Sequence, residues 1–185
     1  MTTRAAIIQS ADELIRDKGY NAFSFVDIAA IVGIRKPSVH HHFPHKADLG
    51  LAVIECHINK LEEIRENYKN SSPAEQLDRF FAIYQEIKTQ NRICIVGALS
   101  TDFNTLEPAV QEKLQEFSEH MITWVSQFLK EGKAAGTFQF KQSSRTKAIM
   151  LLSGMLAIVQ LSRLTNDNDF ALMVKALQQE LHNNQ

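Results

Sequence analysis

Apolar residues recur at helical spacing through most of this chain, and glycine or proline interrupts the pattern at intervals. Near the start, Ile7, Ala11 and Leu14 fall on one face of a helix. Gly19 is expected to end this helix, because glycine readily adopts the left-handed backbone conformation that closes many helices. Because the same pattern continues towards the C-terminus, the sequence predicts an all-α protein with about nine helices.

A capping pattern marks the start of a second helix. In the sequence SFVD, the side chains of Ser24 and Asp27 are placed to satisfy the first free N–H groups of a helix. The helix should therefore run from about Phe25 to Val32, and Gly33 is expected to end it.

A short third helix should follow after a turn. Pro37 fits its first position, where a missing N–H group costs nothing, and the helix should extend to Phe43 before Pro44 ends it. Lys36 precedes a proline and is therefore expected to be extended, as part of the turn. Two helices joined by a turn of about three or four residues that contains glycine form a helix-turn-helix layout.

The turn and the third helix carry a local positive charge, although the net charge of the chain is only -1. Residues 28–47 contain no aspartate or glutamate, whereas Arg35, Lys36 and Lys46 lie within them. Such a patch suits a polyanion such as DNA. The three adjacent histidines in KPSVHHHFPHK are not expected to bind a metal, since consecutive helical side chains diverge by about 100°. A pH-sensing role for the histidines stays open.

Residues 19–49, GYNAFSFVDIAAIVGIRKPSVHHHFPHKADL, resemble the DNA-binding segment of the TetR family of transcriptional regulators. The shared features are Gly-Tyr before a Phe-Ser cap, Asp-Ile-Ala in the next helix, a glycine in the turn, and a Ser-hydrophobic-x-His-His-Phe recognition helix. The chain departs from the family at Pro37, where glycine is frequent, at His40, where tyrosine is common, and at His45, which replaces a small polar residue.

The resemblance implies a division of the chain into two functional parts. Residues 1–46 would form a three-helix, helix-turn-helix DNA-binding domain, and a long helix would join it to a helical ligand-binding and dimerisation domain over residues 47–185. The expected protein is a cytoplasmic homodimer that represses transcription from a palindromic operator until a small apolar ligand releases it. A dimer is also expected because one short helix buries too little surface to bind DNA tightly, and two half-sites are needed.

The expected DNA contacts follow from positions in the motif. Arg35 and Lys36 lie at the end of the recognition helix that enters a major groove, where Arg reads guanine. Ser24 and Lys46 resemble phosphate-anchoring positions, although Lys46 could be an ordinary solvated lysine. The residues expected to contact DNA are Ser24, Arg35, Lys36, Pro37, Ser38, Val39, His40, His41 and Lys46. Val39 has a second interpretation as a core residue beside Phe43, and either His41 or His42 is expected to pack on the first helix.

Helical patterns continue beyond the motif. The linker NSSP separates two long helices, and a loop, GKAAGTFQFK, precedes the last two. The predicted helices run from about Lys46 to Tyr68, from Pro73 onward, through the short segment CIVGAL, from Pro108 to Lys130, from Ser144 to Leu164 and from Asp169 to Leu181.

The middle of the chain has the aromatic and methionine content of an apolar pocket. The candidate ligand-binding residues are Phe80, Tyr84, Cys94, Phe103, Phe117, Met121 and Trp124. Ordinary core packing is the alternative for each of them. Cys94 follows Arg92 near the start of a short helix, a setting that favours a reactive thiolate, so an electrophile-sensing regulator is a second hypothesis. The apolar context ICIV favours an inert cysteine instead.

The helix over residues 148–159 is apolar on nearly every side and must be buried on more than one of them. It is the candidate dimer interface, through Met150, Ser153, Gly154, Ala157 and Leu161. The alternative is the central helix of a monomeric core.

Several classes of protein are disfavoured. Cys56 and Cys94 alone cannot form a disulfide framework or a zinc cluster. The apolar stretch 148–159 is shorter than the roughly 18 residues of a membrane helix. No phosphate loop, nucleophile elbow or zinc-protease motif occurs, so neither an enzyme nor a cofactor or metal is expected. Two alternatives stay open: a helical module that binds an acidic protein, and a small helical enzyme or carrier.

Overall fold

The computed structural model describes residues 2–166 and 168–182, and every regular element in these ranges is a helix. The nine helices are α1 (Thr3–Lys18), α2 (Phe25–Val32), α3 (Lys36–His42), α4 (Lys46–Tyr68), α5 (Pro73–Thr89), α6 (Ile95–Thr101), α7 (Pro108–Ala134), α8 (Ser144–Leu161) and α9 (Asn168–His182). Two short 3-10 helices cover Tyr20–Ala22 and Phe103–Thr105. The predicted all-α class with about nine helices is confirmed.

The chain forms two compact units. The first contains the residues up to Leu61 together with Ile95–Ser118, and the second contains Glu62–Cys94 together with the residues from Glu119 onward. Helices α4 and α7 therefore contribute residues to both units. The functional boundary expected after residue 46 stays a prediction.

The first unit has a core built from α1 to α4, together with α6 and the start of α7. Its side chains meet at the positions where the apolar pattern placed the inner faces, which confirms the predicted inward direction of Ile28 and Val39. The fully buried residues are Ile7, Ala11, Ile15, Ile28, Val39, Leu49, Val53, Ile54, Leu99 and Val110.

The second unit has an aromatic core between α5, the end of α7, α8 and α9. Its most buried members are Phe80, Val125, Phe128, Leu129, Phe138, Ala148, Leu151, Met155 and Leu181. The ring of Phe138 lies against Gly132, where a Cβ would come within 2.1 Å of the ring. Only glycine fits at position 132 without moving that ring.

Three helix boundaries differ from the sequence prediction. Helix α3 begins at Lys36 because Arg35, not Lys36, takes the extended cap conformation with φ −86° and ψ 147°. Helix α7 continues past Gly132 to Ala134, and the chain turns at Gly136 with a left-handed φ of 76°. Helix α8 ends at Leu161, since the N–H groups of Arg163 and Leu164 bond three residues back, which tightens the last turn.

Across the described ranges, no helix combines the length and apolar character that a membrane span requires.

Candidate nucleic-acid interface

A capping box fixes the start of α2. The backbone N–H and the hydroxyl of Ser24 both donate to the carboxylate of Asp27 at 2.7 Å, and the Ser24 hydroxyl accepts from the Val26 N–H at 3.3 Å. The hydrogen bonds from Ser24 hold the pKa of the Asp27 carboxyl below its ordinary value. Gly33 closes the helix with a left-handed φ of 74°, so the direction in which the chain enters α3 is set locally.

Helix α3 buries one face and exposes the other. Val39 and Phe43 anchor it in the core, whereas Arg35, Lys36 and His41 are exposed. The prediction that Val39 contacts DNA is wrong, because its side chain is 0% exposed and cannot reach a thymine methyl group. Its second interpretation as a core residue is confirmed.

Two further members of the predicted DNA-binding set are exposed, and a third is half-buried. Pro37 is exposed in the first turn of α3, and Ser38 is half-buried, with its N–H bonded to the carbonyl oxygen of Arg35 at 2.9 Å. Ser24 is exposed at the start of α2. The exposed set thus extends from the start of α2 along the outer face of α3.

The three adjacent histidines, His40, His41 and His42, differ in their exposure and in their contacts. The ring of His40 lies edge-on to Phe25, with 4.8 Å between centroids, and its Nδ1 is 3.4 Å from the Pro44 carbonyl oxygen. His41 is exposed, whereas His42 is half-buried, with its ring 5.5 Å from that of His41. Among the residues that the structure describes, no group of three His, Cys, Asp or Glu side chains could hold a metal ion.

Lys46 is turned inward. Its ammonium group donates to the carbonyl oxygen of Phe23 at 2.5 Å and lies 4.1 Å from the centroid of the Phe23 ring and 4.9 Å from that of Tyr20. Burial lowers the pKa of Lys46, which the nearby carboxylates of Glu107 and Asp102 partly offset. The geometry makes Lys46 a support for the chain before α2, and its predicted phosphate contact stays a prediction.

Arg4 is a candidate that the sequence motif did not reveal. It is exposed in the first turn of α1, and its guanidinium group lies 5.0 Å from the centroid of the Phe43 ring, at the end of α3. Nothing in the motif indicates this placement, because it depends on how α1 packs beside α3. Arg4 extends the positive surface to the far end of the recognition helix.

A group of polar contacts ties the turn between α1 and α2 to the segment after α6. The N–H of Tyr20 donates to Asp102 Oδ2 at 2.8 Å, and the Tyr20 hydroxyl donates to Glu107 Oε2 at 3.0 Å. The side-chain amide of Asn21 donates to the Thr105 hydroxyl at 2.7 Å. Burial and Glu107 raise the pKa of Tyr20, so the hydroxyl stays protonated and donates. Sequence reasoning missed this connection because it joins distant segments.

Three of the seven candidate ligand-binding residues form an aromatic cluster in the second unit. The ring of Phe80 lies 5.3 Å from that of Tyr84 and 6.4 Å from that of Trp124, centroid to centroid. Phe128 completes the cluster, with its ring 5.6 Å from that of Trp124. We call Phe80, Tyr84, Trp124 and Phe128 the aromatic cluster.

The other four candidates are not part of this ring cluster. Cys94 is buried in the second unit, where it contributes to the raised pKa of Tyr84, and Met121 is half-buried in the same unit. Phe103 and Phe117 belong to the first unit, where Phe117 lies 6.1 Å from the ring of His57. Among the described residues, both cysteines are free of disulfide bonds.

The candidate dimer residues lie mostly along one exposed stripe of α8. Met150, Ser153, Ala157 and Leu161 are all exposed. Gly154 differs, because a Cβ there would lie 3.0 Å from Met173 Cε and 3.5 Å from Leu177 Cδ1. Its small size therefore makes room for α9 of the same chain, and the expectation that it serves close approach of a second chain is not supported. Lys147, nearly fully buried, donates to Glu180 at 2.7 Å and also joins α8 to α9.

An all-α chain that exposes the basic face of the second helix of a helix-turn-helix has the structure of a DNA-binding transcriptional regulator. Comparison with known families agrees: the family described as "Bacterial regulatory proteins, tetR family" matches residues 7–53, and "Tetracyclin repressor-like, C-terminal domain" matches residues 73–176. The chain belongs to the TetR family of transcriptional regulators.

Solved structures of two relatives have the same fold over nearly the whole of this chain. A TetR transcriptional regulator from Legionella pneumophila is 32% identical, with 98% of each chain covered and a TM-score of 0.88. A TetR-family regulator from Agrobacterium tumefaciens is 27% identical, with 97% of each chain covered and a TM-score of 0.90. The HTH-type transcriptional repressor DhaR from Mycobacterium sp. (strain GP1) is 25% identical over 143 residues, which are 74% of this chain and 70% of DhaR.

Proposed function

We propose that this chain is a cytoplasmic, homodimeric repressor that binds a palindromic operator and leaves it when a small, largely apolar effector binds the second unit. The observation that carries the proposal is the exposed, acid-free face of α3, with Arg35 and Lys36 at its start. We propose repression rather than activation of transcription because the relative DhaR is a transcriptional repressor.

The proposed DNA contacts are of two kinds, contacts to base edges and contacts to phosphates. Arg35 and Lys36 read base edges at the start of the recognition helix, where arginine can bond guanine in two places. His40 and His41 add hydrogen bonds from the exposed face of α3. Ser24 and Arg4 contact phosphates, which fix the position of the protein on DNA without reading sequence.

A dimer provides the two recognition helices that a palindrome requires. The exposed stripe of α8 supports it, since Met150 and Leu161 are 42% and 50% exposed and would otherwise contact water. Leu164 and Leu172 extend the apolar surface beyond α8. In the dimer, the two recognition helices would have to lie about 34–36 Å apart to enter successive major grooves on one side of DNA.

The effector would act by selecting between two states of the dimer. An effector that binds around the aromatic cluster and prefers the state with the wrong half-site spacing removes the repressor from DNA. To move the ratio of the released state to the DNA-binding state from 1:99 to 99:1, the effector must bind the released state more tightly by about 5.5 kcal/mol. Helix α4 continues from the first unit into the second, so it is the element that we propose as the lever.

A thiol-sensing regulator is the second hypothesis. It would use Cys94, which is buried next to Tyr84 rather than exposed to reagents. If it is correct, Cys94→Ser abolishes release from DNA by electrophiles, whereas Cys56→Ser has no effect. Release by a reversible effector that survives Cys94→Ser would exclude it.

The proposal is tested by selecting DNA from a pool of random duplexes with the purified protein. We expect an inverted repeat to be enriched, bound with an affinity that falls steeply with salt concentration. The variant Arg35→Ala/Lys36→Ala should bind the selected site no better than random DNA, a loss of about 1–3 kcal/mol for each base contact. Enrichment of no sequence by the wild type, or full discrimination by the variant, would contradict the assignment.

A further inference from the structure

Two hydrogen-bond donors are buried in the aromatic cluster without a protein partner. Within the part of the chain that the structure describes, neither the Tyr84 hydroxyl nor the Trp124 indole N–H makes a hydrogen bond. Tyr84 is 2% exposed and Trp124 is 5% exposed. Two other unpartnered atoms, Ser126 Oγ and His120 Nδ1, belong to half-buried residues, and the latter lies 3.3 Å from Glu62.

Such donors are unusual in a protein core. Most buried polar atoms find a partner, because a donor that leaves water without one loses its hydrogen bonds and regains nothing. Phenylalanine would fill the Tyr84 position without that loss. Packing alone therefore does not explain why two hydrogen-bond donors without partners, on Tyr84 and Trp124, occur in the same core.

The two donors share surroundings that suit a ligand. The rings of Tyr84 and Trp124 both pack on Phe80, and Trp124 also contacts Phe128. A few polar groups among aromatic walls are the usual composition of a small-molecule site, in which the polar groups set orientation and specificity.

Both groups remain donors at physiological pH. Burial, with a further contribution from Cys94, raises the pKa of Tyr84 well above its ordinary value, so the hydroxyl keeps its proton. The indole N–H can only donate. Each group can therefore donate a hydrogen bond to an acceptor with free lone pairs, such as an oxygen atom.

We propose that the effector is an apolar molecule that carries at least one hydrogen-bond acceptor, such as a carbonyl or ether oxygen, and that the Tyr84 hydroxyl and the Trp124 indole N–H are the donors available to it. The inference rests on the proposed effector site and narrows its chemistry, since it excludes pure hydrocarbons as good effectors. Donation to the ligand removes the cost of the two unmade bonds, and a hydrocarbon of the same shape cannot do this.

The test compares two probes of nearly the same shape, butylbenzene and 1-phenylbutan-1-one, in which a carbonyl replaces one methylene. Their dissociation constants are measured by calorimetry on the full-length protein, and by the fluorescence of Trp124, the single tryptophan of the chain. We expect the ketone to bind about tenfold more tightly than the hydrocarbon. Tyr84→Phe, and Trp124→Phe measured by calorimetry, should each reduce this preference.

Equal affinities for the two probes, unchanged by Tyr84→Phe, would overturn the inference and leave operator binding, and with it the proposed regulator, untouched. Binding of neither probe would overturn the aromatic cluster as a site for such molecules. A second measurement needs no ligand: Tyr84→Phe should keep or raise the melting temperature, whereas Tyr20→Phe, which removes a bond to Glu107, should lower it. An equal loss in both variants would show that the Tyr84 hydroxyl is already satisfied.

Discussion

The ammonium group of Lys46 donates to the Phe23 carbonyl oxygen and lies over two aromatic rings, whereas Lys36, ten residues earlier, is exposed at the start of α3. Both lysines belong to the same acid-free stretch. The contacts of Lys46 hold the residues before α2 in place, so it can affect DNA binding through the fold, while Lys36 is exposed on the surface that we propose contacts DNA.

Lys46→Met keeps the aliphatic stem on the two rings but leaves the Phe23 carbonyl without its charged donor. We expect it to lower the free energy of unfolding by about 1–2 kcal/mol. Lys36→Met should change that free energy by less than about 0.5 kcal/mol, yet weaken operator binding. Urea denaturation and mobility-shift titration measure the two effects. If Lys46→Met were as stable as wild type, the inward contact would not form in solution.

Asp12 joins α1 to α4. Its carboxylate lies 2.6 Å from His57 Nε2 and 3.4 Å from Arg16 Nη1, and both partners are largely buried. Burial alone would raise the pKa of Asp12, but the hydrogen bond and charge of His57, with the charges of Arg16 and Lys60, hold it below its ordinary value. The folded state therefore favours the ionised carboxylate.

A lowered pKa gives a stabilisation that is complete above the ordinary pKa of aspartate, about 3.9, and is lost as the pH falls through the folded-state value. Asp12→Asn should therefore cost about 1.5–3 kcal/mol of unfolding free energy at neutral pH and progressively less in acid. Denaturation curves between pH 7 and the acid limit of folding measure the difference. Asp78→Asn, on the exposed side of α5, is the control and should show no such pH-dependent loss.

Helices α2 and α5 both begin with a capping box. Ser24 pairs with Asp27, and Ser72 pairs with Glu75, whose carboxylate accepts from the Ser72 N–H at 2.7 Å. In both helices the serine side chain also accepts from a backbone N–H of the first turn. The two caps should contribute alike to stability, but only that of α2 lies beside the proposed DNA surface.

Ser24→Ala and Ser72→Ala should each lower the free energy of unfolding by about 1 kcal/mol, because each leaves helix N–H groups unsatisfied. Under conditions where both variants are folded, Ser24→Ala should also weaken binding to operator and random DNA by a similar factor, since a phosphate contact carries no sequence information. Ser72→Ala should bind DNA as wild type does. Equal DNA affinity of the two variants would remove Ser24 from the interface.

At the scale of the whole molecule, the exposed apolar stripe of α8 is the surface on which the proposed dimer depends. Met150→Arg/Leu161→Arg would place one charge at each end of that stripe, and we expect the protein to become monomeric. Analytical ultracentrifugation measures the mass. Ile31→Arg, at a position on α2 that is 58% exposed, adds one such charge outside the stripe and should leave the mass unchanged.

If the double variant is a folded monomer, we also expect it to bind the operator weakly, because its single recognition helix contacts only one half-site. A double variant that sedimented as a dimer would place the interface elsewhere on the chain.

Local signals in the sequence were sufficient for the helices and the motif. Capping boxes, glycine stops and apolar spacing act within a few residues, so the bounds of α2 and α4 and the inner face of α3 could be predicted without a structure. The same signals were misleading at Gly132, where α7 continues because Phe138 packs on the glycine. A helix breaker is overridden when distant packing stabilises the helix around it.

The tertiary structure alone decided which side chains meet. It turned Lys46 towards Phe23, placed Arg4 beside Phe43, and paired Tyr20 with Glu107, which lies 87 residues further along the chain. It also placed Phe117 in a different unit from the aromatic cluster around Trp124, although both lie on α7. Helical periodicity determines which residues share a face of one helix, but the partner of that face depends on how helices far apart in the chain pack together.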